Sequence, residues 1–219
     1  MRGELTELVA ADVVAWLSTV DRLLYNERDM QMHLASYLLE SGKYSGVELE
    51  YYVPKDIVPG YVWDSELKLD IVVSRQGQYV PVELKYKTKE VVRCPIRFGE
   101  EIDRRFHITK THSAPDLGRY DFWKDVRRLE LVKRRFGNVA GGVALFLTND
   151  GAYLAKGRAS SNNIRFSMAE GCHGRERSWL RATRTTVGRP DFLLDHDYSV
   201  QWQTYTMDAE IFHSLIIVI

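Results

Sequence analysis

Residues 68–86, KLDIVVSRQGQYVPVELKY, constrain the fold more than any other stretch of the chain. Two strand-like apolar runs flank the short segment RQGQ, a pattern that is typical of a β-hairpin. Three ionisable residues interrupt these runs: Asp70 in the first, and Glu83 and Lys85 in the second. Charged side chains inside core strands need partners, so the hairpin predicts a chemical site as well as a fold.

The spacing of these charges predicts that they meet. Side chains alternate between the two faces of a strand. On strand 67–74 the odd-numbered apolar residues are expected on one face and Asp70 on the other, while strand 79–86 places Glu83 and Lys85 on one face. With Gln76-Gly77 as a two-residue type I′ turn, Asp70 lies across from Glu83, with Cβ atoms about 4.5–5.5 Å apart. A longer turn would shift this register.

Two opposed carboxylates destabilise a strand pair unless a cation lies between them. Oxygen ligands suit a hard divalent ion such as Mg²⁺ or Mn²⁺. Lys85 is two residues from Glu83, close enough to orient a water molecule or stabilise developing phosphate charge. The alternative is a surface salt-bridge cluster of Asp70, Glu83 and Lys85 on a half-exposed sheet.

A fourth carboxylate comes from a helix predicted over 27–41, with Asn26 as its N-cap and Gly42 after its end. At about 100° per residue, Glu27 and Gln31 share a face with the apolar stripe of this helix. A core-facing carboxylate needs a partner, which makes Glu27 a candidate ligand and Gln31 a supporting residue. The alternative is that Glu27 only stabilises the helix start through the macrodipole.

The remaining pattern predicts a single domain over 1–219 with a mixed α/β fold, in which the strand after the third helix can lie parallel to an earlier one. The other predicted elements are helices 4–20 and 119–136, strands 47–53, 142–148 and 152–156, and C-terminal strands at 198–206 and 213–219. Residues 87–118 and the loop 157–190 are expected to be mostly irregular.

Charge is unevenly distributed although the net charge is zero. Residues 1–84 hold 7 basic and 14 acidic side chains, residues 85–135 hold 15 and 8, and residues 156–189 hold 8 and 2. This asymmetry predicts an acidic pocket beside a basic surface, unless the basic residues are only solvated.

No apolar run suits a membrane span or a secretory leader, and the two cysteines form no CxxC pair, so a cytoplasmic protein without membrane, zinc site or disulfide framework is expected.

These residues resemble the PD-(D/E)XK nuclease superfamily, which has the restriction-endonuclease-like fold. The resemblance covers about residues 26–148, and the runs NERDMQMHLASYLLESG and GRYDFWKDVRRLE resemble uncharacterised bacterial members. It implies an αβββαβ core with a mixed sheet flanked by helices, to which the C-terminal strands are additions. It also implies Mg²⁺ (or Mn²⁺) bound by Asp70 and Glu83, with Glu27 as an additional ligand and Lys85 assisting the attacking water. One departure is Leu69, where the motif has proline.

Basic residues after the motif predict where a nucleic acid would lie. Lys87, Lys89 and Arg93 follow the motif strand and are expected to track a phosphate backbone, with Arg128 as a further contact. Arg128 and its neighbour Arg127 lie off the apolar stripe of helix 119–136, where each alone is expected to be solvated. Asp125 is expected to pair with Arg128 at i+3. The arginines of loop 157–190 are candidates for a mobile clamp, and Trp179 within the loop is expected to be buried.

The sequence therefore predicts a metal-dependent nuclease, with DNA favoured over RNA and with duplex, single-stranded and branched substrates all left open. One alternative is an inactive nuclease-fold module that binds nucleic acid or supports assembly, since fold alone does not fix function. Another is a structural domain whose charges form only salt bridges. Many nucleases that cut both strands act in pairs, so a homodimer stays open alongside the monomer.

Overall fold

The computed structural model describes residues 2–219, which form three α-helices and fourteen strands. The helices are α1 (Arg2–Thr19), α2 (Glu27–Glu40) and α3 (Pro115–Arg135). The strands are β1 (Gly46–Val53), β2 (Leu67–Arg75), β3 (Gln78–Lys87), β4 (Val91–Arg93), β5 (Ile96–Arg97), β6 (Glu100–Glu101), β7 (Phe106–Thr109), β8 (Val143–Thr148), β9 (Gly171–His173), β10 (Glu176–Arg177), β11 (Phe192–Leu193), β12 (Tyr198–Val200), β13 (Trp202–Met207) and β14 (Glu210–Val218).

Six strands form a mixed central sheet in the order β1-β2-β3-β8-β14-β13. Neighbours are antiparallel except β3 and β8, which are parallel and joined through α3. The prediction of a parallel partner for the strand after the third helix is therefore confirmed. Every residue of β8 is buried, as expected for a central strand covered on both faces. The chain end pairs with β8 through β14, so the last apolar run lies inside the sheet.

Helices cover the two faces of the sheet and form two apolar clusters. The cluster on one face contains the buried stripe of α1, with Val9, Val13 and Trp16, and the buried residues of α2. The other cluster contains the buried stripe of α3, with Phe122, and side chains from the segment that follows β8. The domain is thus an α/β structure with a mixed sheet between helices.

Local sequence signals account for the helix ends. The side chain of Asn26 accepts a hydrogen bond from the backbone N–H of Asp29 at 2.9 Å, which caps the start of α2 as predicted. The third helix begins earlier than predicted because Pro115 occupies its first turn, where the missing N–H costs nothing. Among residues 2–219, none of the helices has the length and apolarity needed to cross a membrane.

The hairpin of β2 and β3 has the predicted turn, and the predicted register holds over the first five residue pairs, but the expected pair of Asp70 with Glu83 does not form. Gln76 and Gly77 both have positive φ, 51° and 74°, as a type I′ turn requires. Pairing runs from Arg75 opposite Gln78 to Ile71 opposite Val82. The last of these pairs ends one residue before Asp70 and Glu83, so the ladder stops where the charges begin.

The predicted face of β2 is wrong over part of its length. Ile71 and Val73 pack on the α1–α2 side, but Leu67 and Leu69 pack on the α3 side. The alternation changes at Asp70, opposite Glu50 of β1, where the β1–β2 pairing is interrupted. Glu50 has φ of 52°, a left-handed conformation that turns the strand and moves later side chains to the other face.

One further predicted strand does not form, and the two segments predicted to be mostly irregular contain short elements. The prediction of a strand over 152–156 is wrong. Asp150 accepts a hydrogen bond from the backbone N–H of Ala152 and caps a 3₁₀ turn over Gly151–Tyr153. The segment 157–190 is mostly irregular, as predicted, and contains only the short strands β9 and β10 and two 3₁₀ turns. Trp179 within it stacks on Tyr120, with ring centroids 5.5 Å apart. Residues 87–118 contain the small pairs β4–β7 and β5–β6.

Candidate functional site

Carboxylates take over the hydrogen bonds of β3 at the point where its pairing with β2 ends. The backbone N–H of Leu84 donates to Oδ2 of Asp70 at 2.7 Å. Two residues further on, the backbone N–H of Tyr86 donates to Oε2 of Glu27 at 2.9 Å. Asp70 and Glu27 thus satisfy donors that β2 would have paired if it had stayed beside β3. The separation of the strands positions both carboxylates beside β3.

Glu83 points from β3 toward α3 and is nearly fully buried, at 2% exposure. Its Oε1 lies 3.3 Å from Nη1 of Arg128, and the same Nη1 lies 3.0 Å from Oδ1 of Asp125. The other terminal nitrogen of Arg128 donates to the backbone carbonyl of Lys68. One guanidinium therefore links the motif glutamate to α3 and to β2.

Lys85 lies beside this group, on the same face of β3. Its Nζ is 2.8 Å from Oδ2 of Asp125 and 3.9 Å from Oε1 of Glu27, and it donates to the backbone carbonyl of Leu84 at 2.9 Å. We call the set Glu83, Arg128, Asp125, Lys85 and Glu27 the charge chain, because negative and positive groups alternate along it.

The surroundings change the protonation behaviour of three groups. Burial raises the pKa of Asp70 to about 6, and Lys85 opposes this rise while Asp125 adds to it. Burial also raises the pKa of Glu83 well above its ordinary value, against the attraction of Arg128. Burial lowers the pKa of Lys85, but Asp125 and the other carboxylates outweigh this and leave it above its usual range. The Lys85 ammonium therefore stays protonated near neutral pH.

Gln31 of α2 binds the backbone of Asp70. Its side chain is buried and its Nε2 donates to the backbone carbonyl of Asp70 at 2.6 Å. The same nitrogen donates to Oε1 of Glu50 at 3.1 Å. Both contacts fall at the interruption between β1 and β2, so Gln31 fixes the backbone that carries Asp70.

The predicted nucleic-acid contacts lie in different surroundings. Lys87 is half-buried on β3, two residues beyond Lys85. Lys89 is exposed, with Nζ 3.3 Å from Oδ1 of Asp150. Arg93 binds Asp208 and Glu210 in the β13–β14 turn, each at 2.7 Å. Arg128 belongs to the charge chain, so the structure does not gather these four residues on one surface.

The expectation that Arg127 and Arg128 are solvated is wrong. Arg128 is buried, and Arg127 pairs with Glu130 at 2.9 Å and Asp195 at 2.6 Å. Among the arginines of the expected clamp, Arg177 is buried with its guanidinium 3.9 Å from the ring centroid of Trp123. Its role is packing on α3 rather than reaching outward.

Asp125 belongs to the candidate site, although the sequence predicts it only as a partner of Arg128. That pairing is confirmed, but Asp125 also holds Lys85. The signal was present in the sequence, because Asp125 stands three residues after Phe122 and four before Leu129, on the apolar face of α3. A carboxylate at a core position of a helix indicates a buried cationic partner.

The donor atoms available for a metal ion are carboxylate oxygens. The buried Oε1 of Glu83 and Oδ2 of Asp125 accept no hydrogen bond of good geometry. Within residues 2–219, no three His, Cys, Asp or Glu side chains are grouped as a ready metal site. Glu83 is turned to Arg128, and Asp70 to the backbone of β3.

Comparison with known proteins gives no relative: no family model, no curated protein and no solved structure matches the chain.

Proposed function

We propose that the protein is a metal-dependent nuclease that hydrolyses phosphodiester bonds in nucleic acid, with DNA favoured over RNA. The observation that carries this proposal is that Asp70 and Glu27 accept the backbone N–H groups of Leu84 and Tyr86, on the same segment of β3 that carries Glu83 and Lys85. These residues come from two distant parts of the sequence, and a surface salt-bridge cluster would not bury Glu83.

The fold supports the same proposal. Helix α2 is followed by β1, β2 and β3, then by α3 and the parallel strand β8. This order corresponds to the αβββαβ core expected of the restriction-endonuclease-like fold, which we propose for this domain. In that arrangement α1 and the strands after β8 are additions to the core.

The residues present fit a hard divalent ion such as Mg²⁺ or Mn²⁺. Asp70, Glu83 and Glu27 offer only oxygen donors, which these ions prefer. The buried Oε1 of Glu83 has no hydrogen bond of good geometry, and burial together with like charges raises the pKa of both Asp70 and Glu83. A positive charge beside these carboxylates would stabilise their ionised forms and provide a partner for the free oxygen of Glu83. The chemistry that such an ion supplies when bound is Lewis acidity toward a phosphoryl oxygen.

The chain's own residues have distinct roles in this proposal. Lys85 stays protonated, and its ammonium stabilises the negative charge that develops on the phosphate. Asp125 fixes that ammonium at 2.8 Å, which reduces the reorganisation needed during the reaction. Gln31 holds the backbone of Asp70 in place. Glu83 has to exchange its contact with Arg128 before it can act as a ligand.

A second candidate function is a nuclease-fold module without activity that binds nucleic acid. The observation that favours it is the pairing of Glu83 with Arg128 and of Lys85 with Asp125, which balances charges inside the protein. Under this reading the charge chain is structural and no metal is bound.

The deciding experiment is a cleavage panel with labelled single- and double-stranded DNA and RNA in Mg²⁺, Mn²⁺ or EDTA. We expect cleavage that needs the metal, is abolished in Asp70→Ala and Glu83→Gln, and is slowed in Lys85→Ala. Glu48→Gln on the exposed side of β1 is the matched control and should keep full activity. Undiminished turnover in Asp70→Ala would overturn the proposal, and salt-sensitive binding without any cleavage would favour the second candidate.

A further inference from the structure

A cavity of about 300 Å³ lies between the first three strands and the end of α3. Three half-buried aromatic rings line it: Tyr51 of β1, Tyr79 of β3, and Phe136 directly after α3. We call this cavity the aromatic pocket. Its size is that of a small-ligand site, and its lining is mostly apolar with a few polar groups, as in such sites.

The aromatic pocket adjoins the charge chain on the same face of the sheet. Leu69 and Val72, which line it, stand on either side of Asp70 in β2. Pro81, also in the lining, is two residues from Glu83, or about 6.6 Å along a strand. On α3 the lining residue Val132 is one helical turn from Arg128, about 6 Å along the axis. A molecule filling the pocket is therefore a close neighbour of the motif carboxylates.

Polar groups of two kinds adjoin or line the aromatic pocket. The guanidinium of Arg135 lies 5.0 Å from the ring centroid of Phe136, and its Nε donates to the backbone carbonyl of Ile57 at 2.7 Å. Arg135 thus contacts two lining residues of the pocket, and Asn138 is itself an exposed lining residue. A cation and a side-chain amide beside aromatic rings suit a ligand with an anionic part, a hydrogen-bonding edge and a flat face.

We propose that the aromatic pocket binds one unstacked nucleobase of the substrate. A nucleotide combines the three features above, because its base stacks on aromatic rings while its phosphate meets a cation. A base inside an intact duplex cannot enter such a pocket without leaving the stack. The substrate class is therefore single-stranded nucleic acid, or a duplex with an unpaired nucleotide near the cleaved bond. This inference rests on the proposed nuclease function and specifies its substrate.

Binding measured in EDTA, where no cleavage occurs, tests the pocket separately from catalysis. The probes are a fluorescently labelled single-stranded DNA, the same sequence as a duplex, and an abasic strand of equal length. We expect the intact single strand to bind more tightly than the other two. Tyr79→Ala should weaken its binding about tenfold, whereas Tyr79→Phe, which keeps the ring, should change it less than twofold.

Further variants guard against a folding defect. Tyr51→Ala removes a ring from β1, at the edge of the sheet, and should weaken binding in the same way. Leu39→Ala on α2 is the matched control, because Leu39 is an apolar residue at 57% exposure outside the pocket lining. Thermal unfolding of each variant shows whether it is folded at the temperature of the assay.

The outcomes separate the pocket from the nuclease. Wild-type affinity in both tyrosine-to-alanine variants, or equal binding of the abasic strand, would overturn the proposal that the pocket binds a base, even if metal-dependent cleavage is found. Pocket-dependent binding of the intact strand without cleavage would uphold the pocket and overturn the nuclease. Self-association of the protein that Tyr79→Ala abolishes, with no effect on DNA binding, would assign the surface to a second copy of the chain and also overturn the inference.

Discussion

Asp70 lies among charges of both signs, and its protonation is coupled to folding. Its Oδ2 accepts the backbone N–H of Leu84, while burial and Asp125 disfavour its charged form. Its pKa rises from 3.8 to about 6. The folded protein therefore holds a proton on Asp70 between about pH 4 and pH 6 that the unfolded chain has released.

The first prediction concerns Asp70→Asn, which keeps an oxygen acceptor for Leu84 but removes the charge. The stability linked to the raised pKa is present below about pH 4 and is lost as pH rises through about 6. We expect the variant to match the wild type at pH 4 and to exceed it at pH 7.5 by up to roughly 3 kcal/mol, at about 1.36 kcal/mol per pH unit. Urea unfolding in EDTA at a series of pH values measures this difference.

Other carboxylates titrate in the same range, so the comparison needs a control. Asp29 and Asp195 have lowered pKa values through their arginine partners, and both make the wild type less stable in acid. The contributions of Asp29 and Asp195 cancel when the two proteins are compared at each pH. Glu83 does not cancel, because the Asp70 charge helps to raise its pKa, and loss of that charge favours the variant at high pH in the same direction. A constant difference between Asp70→Asn and wild type from pH 4 to pH 7.5 would contradict the raised pKa.

At the scale of elements, the β2–β3 turn holds a residue that suits it poorly. Gln76 has φ of 51°, and left-handed backbone at the first position of a type I′ turn favours asparagine. The second prediction is that Gln76→Asn stabilises the protein by about 0.5 kcal/mol, because asparagine enters this conformation with less strain. Chemical unfolding at fixed pH measures the change.

The same turn supplies the counter-test. Gly77 has φ of 74°, so Gly77→Ala introduces a Cβ into left-handed backbone and should destabilise by about 1 kcal/mol. A Cβ at this position meets no heavy atom within 4 Å, so the loss would come from the backbone alone. Equal stability of Gly77→Ala and wild type would contradict the assignment of the turn.

The hairpin also shows how far local sequence determines an element. Its turn and register follow from two residues, Gln76 and Gly77, and from apolar alternation, all of which the sequence contains. The change of face at Asp70 does not follow from local sequence, because it depends on Glu50 of another strand and on Gln31 of α2. Contacts between distant segments override alternation there, and this interruption is the place where the candidate site forms.

The charge chain likewise contains contacts that local sequence cannot predict. The sequence identifies Glu27, Glu83 and Lys85 because each interrupts an apolar pattern within its own element. The link between them passes through Asp125 and Arg128 of α3, and it depends on how that helix packs on β3. Helix periodicity places Asp125 on the core face but cannot choose its partner, so the pairing with Lys85 emerges only in the folded structure.

At the scale of the whole molecule, the candidate site joins four elements of the core. Glu27 comes from α2, Asp70 from β2, Glu83 and Lys85 from β3, and Asp125 with Arg128 from α3. A ligand that bridges these elements binds the folded state and not the separated segments of the unfolded chain. Its binding free energy is therefore added to the free energy of unfolding.

The third prediction follows from this coupling. At a Mg²⁺ or Mn²⁺ concentration about 100 times the dissociation constant, the folded state should gain about 2.7 kcal/mol. For a chain of this size that gain corresponds to a rise of about 5–10 °C in Tm, and EDTA should reverse it. Glu83→Gln should lose the rise because it removes a ligand charge, whereas Glu48→Gln on exposed β1 should keep it. If Glu83→Gln shows the same rise as wild type, the ion binds elsewhere, and Glu83 then serves only to pair with Arg128 between β3 and α3.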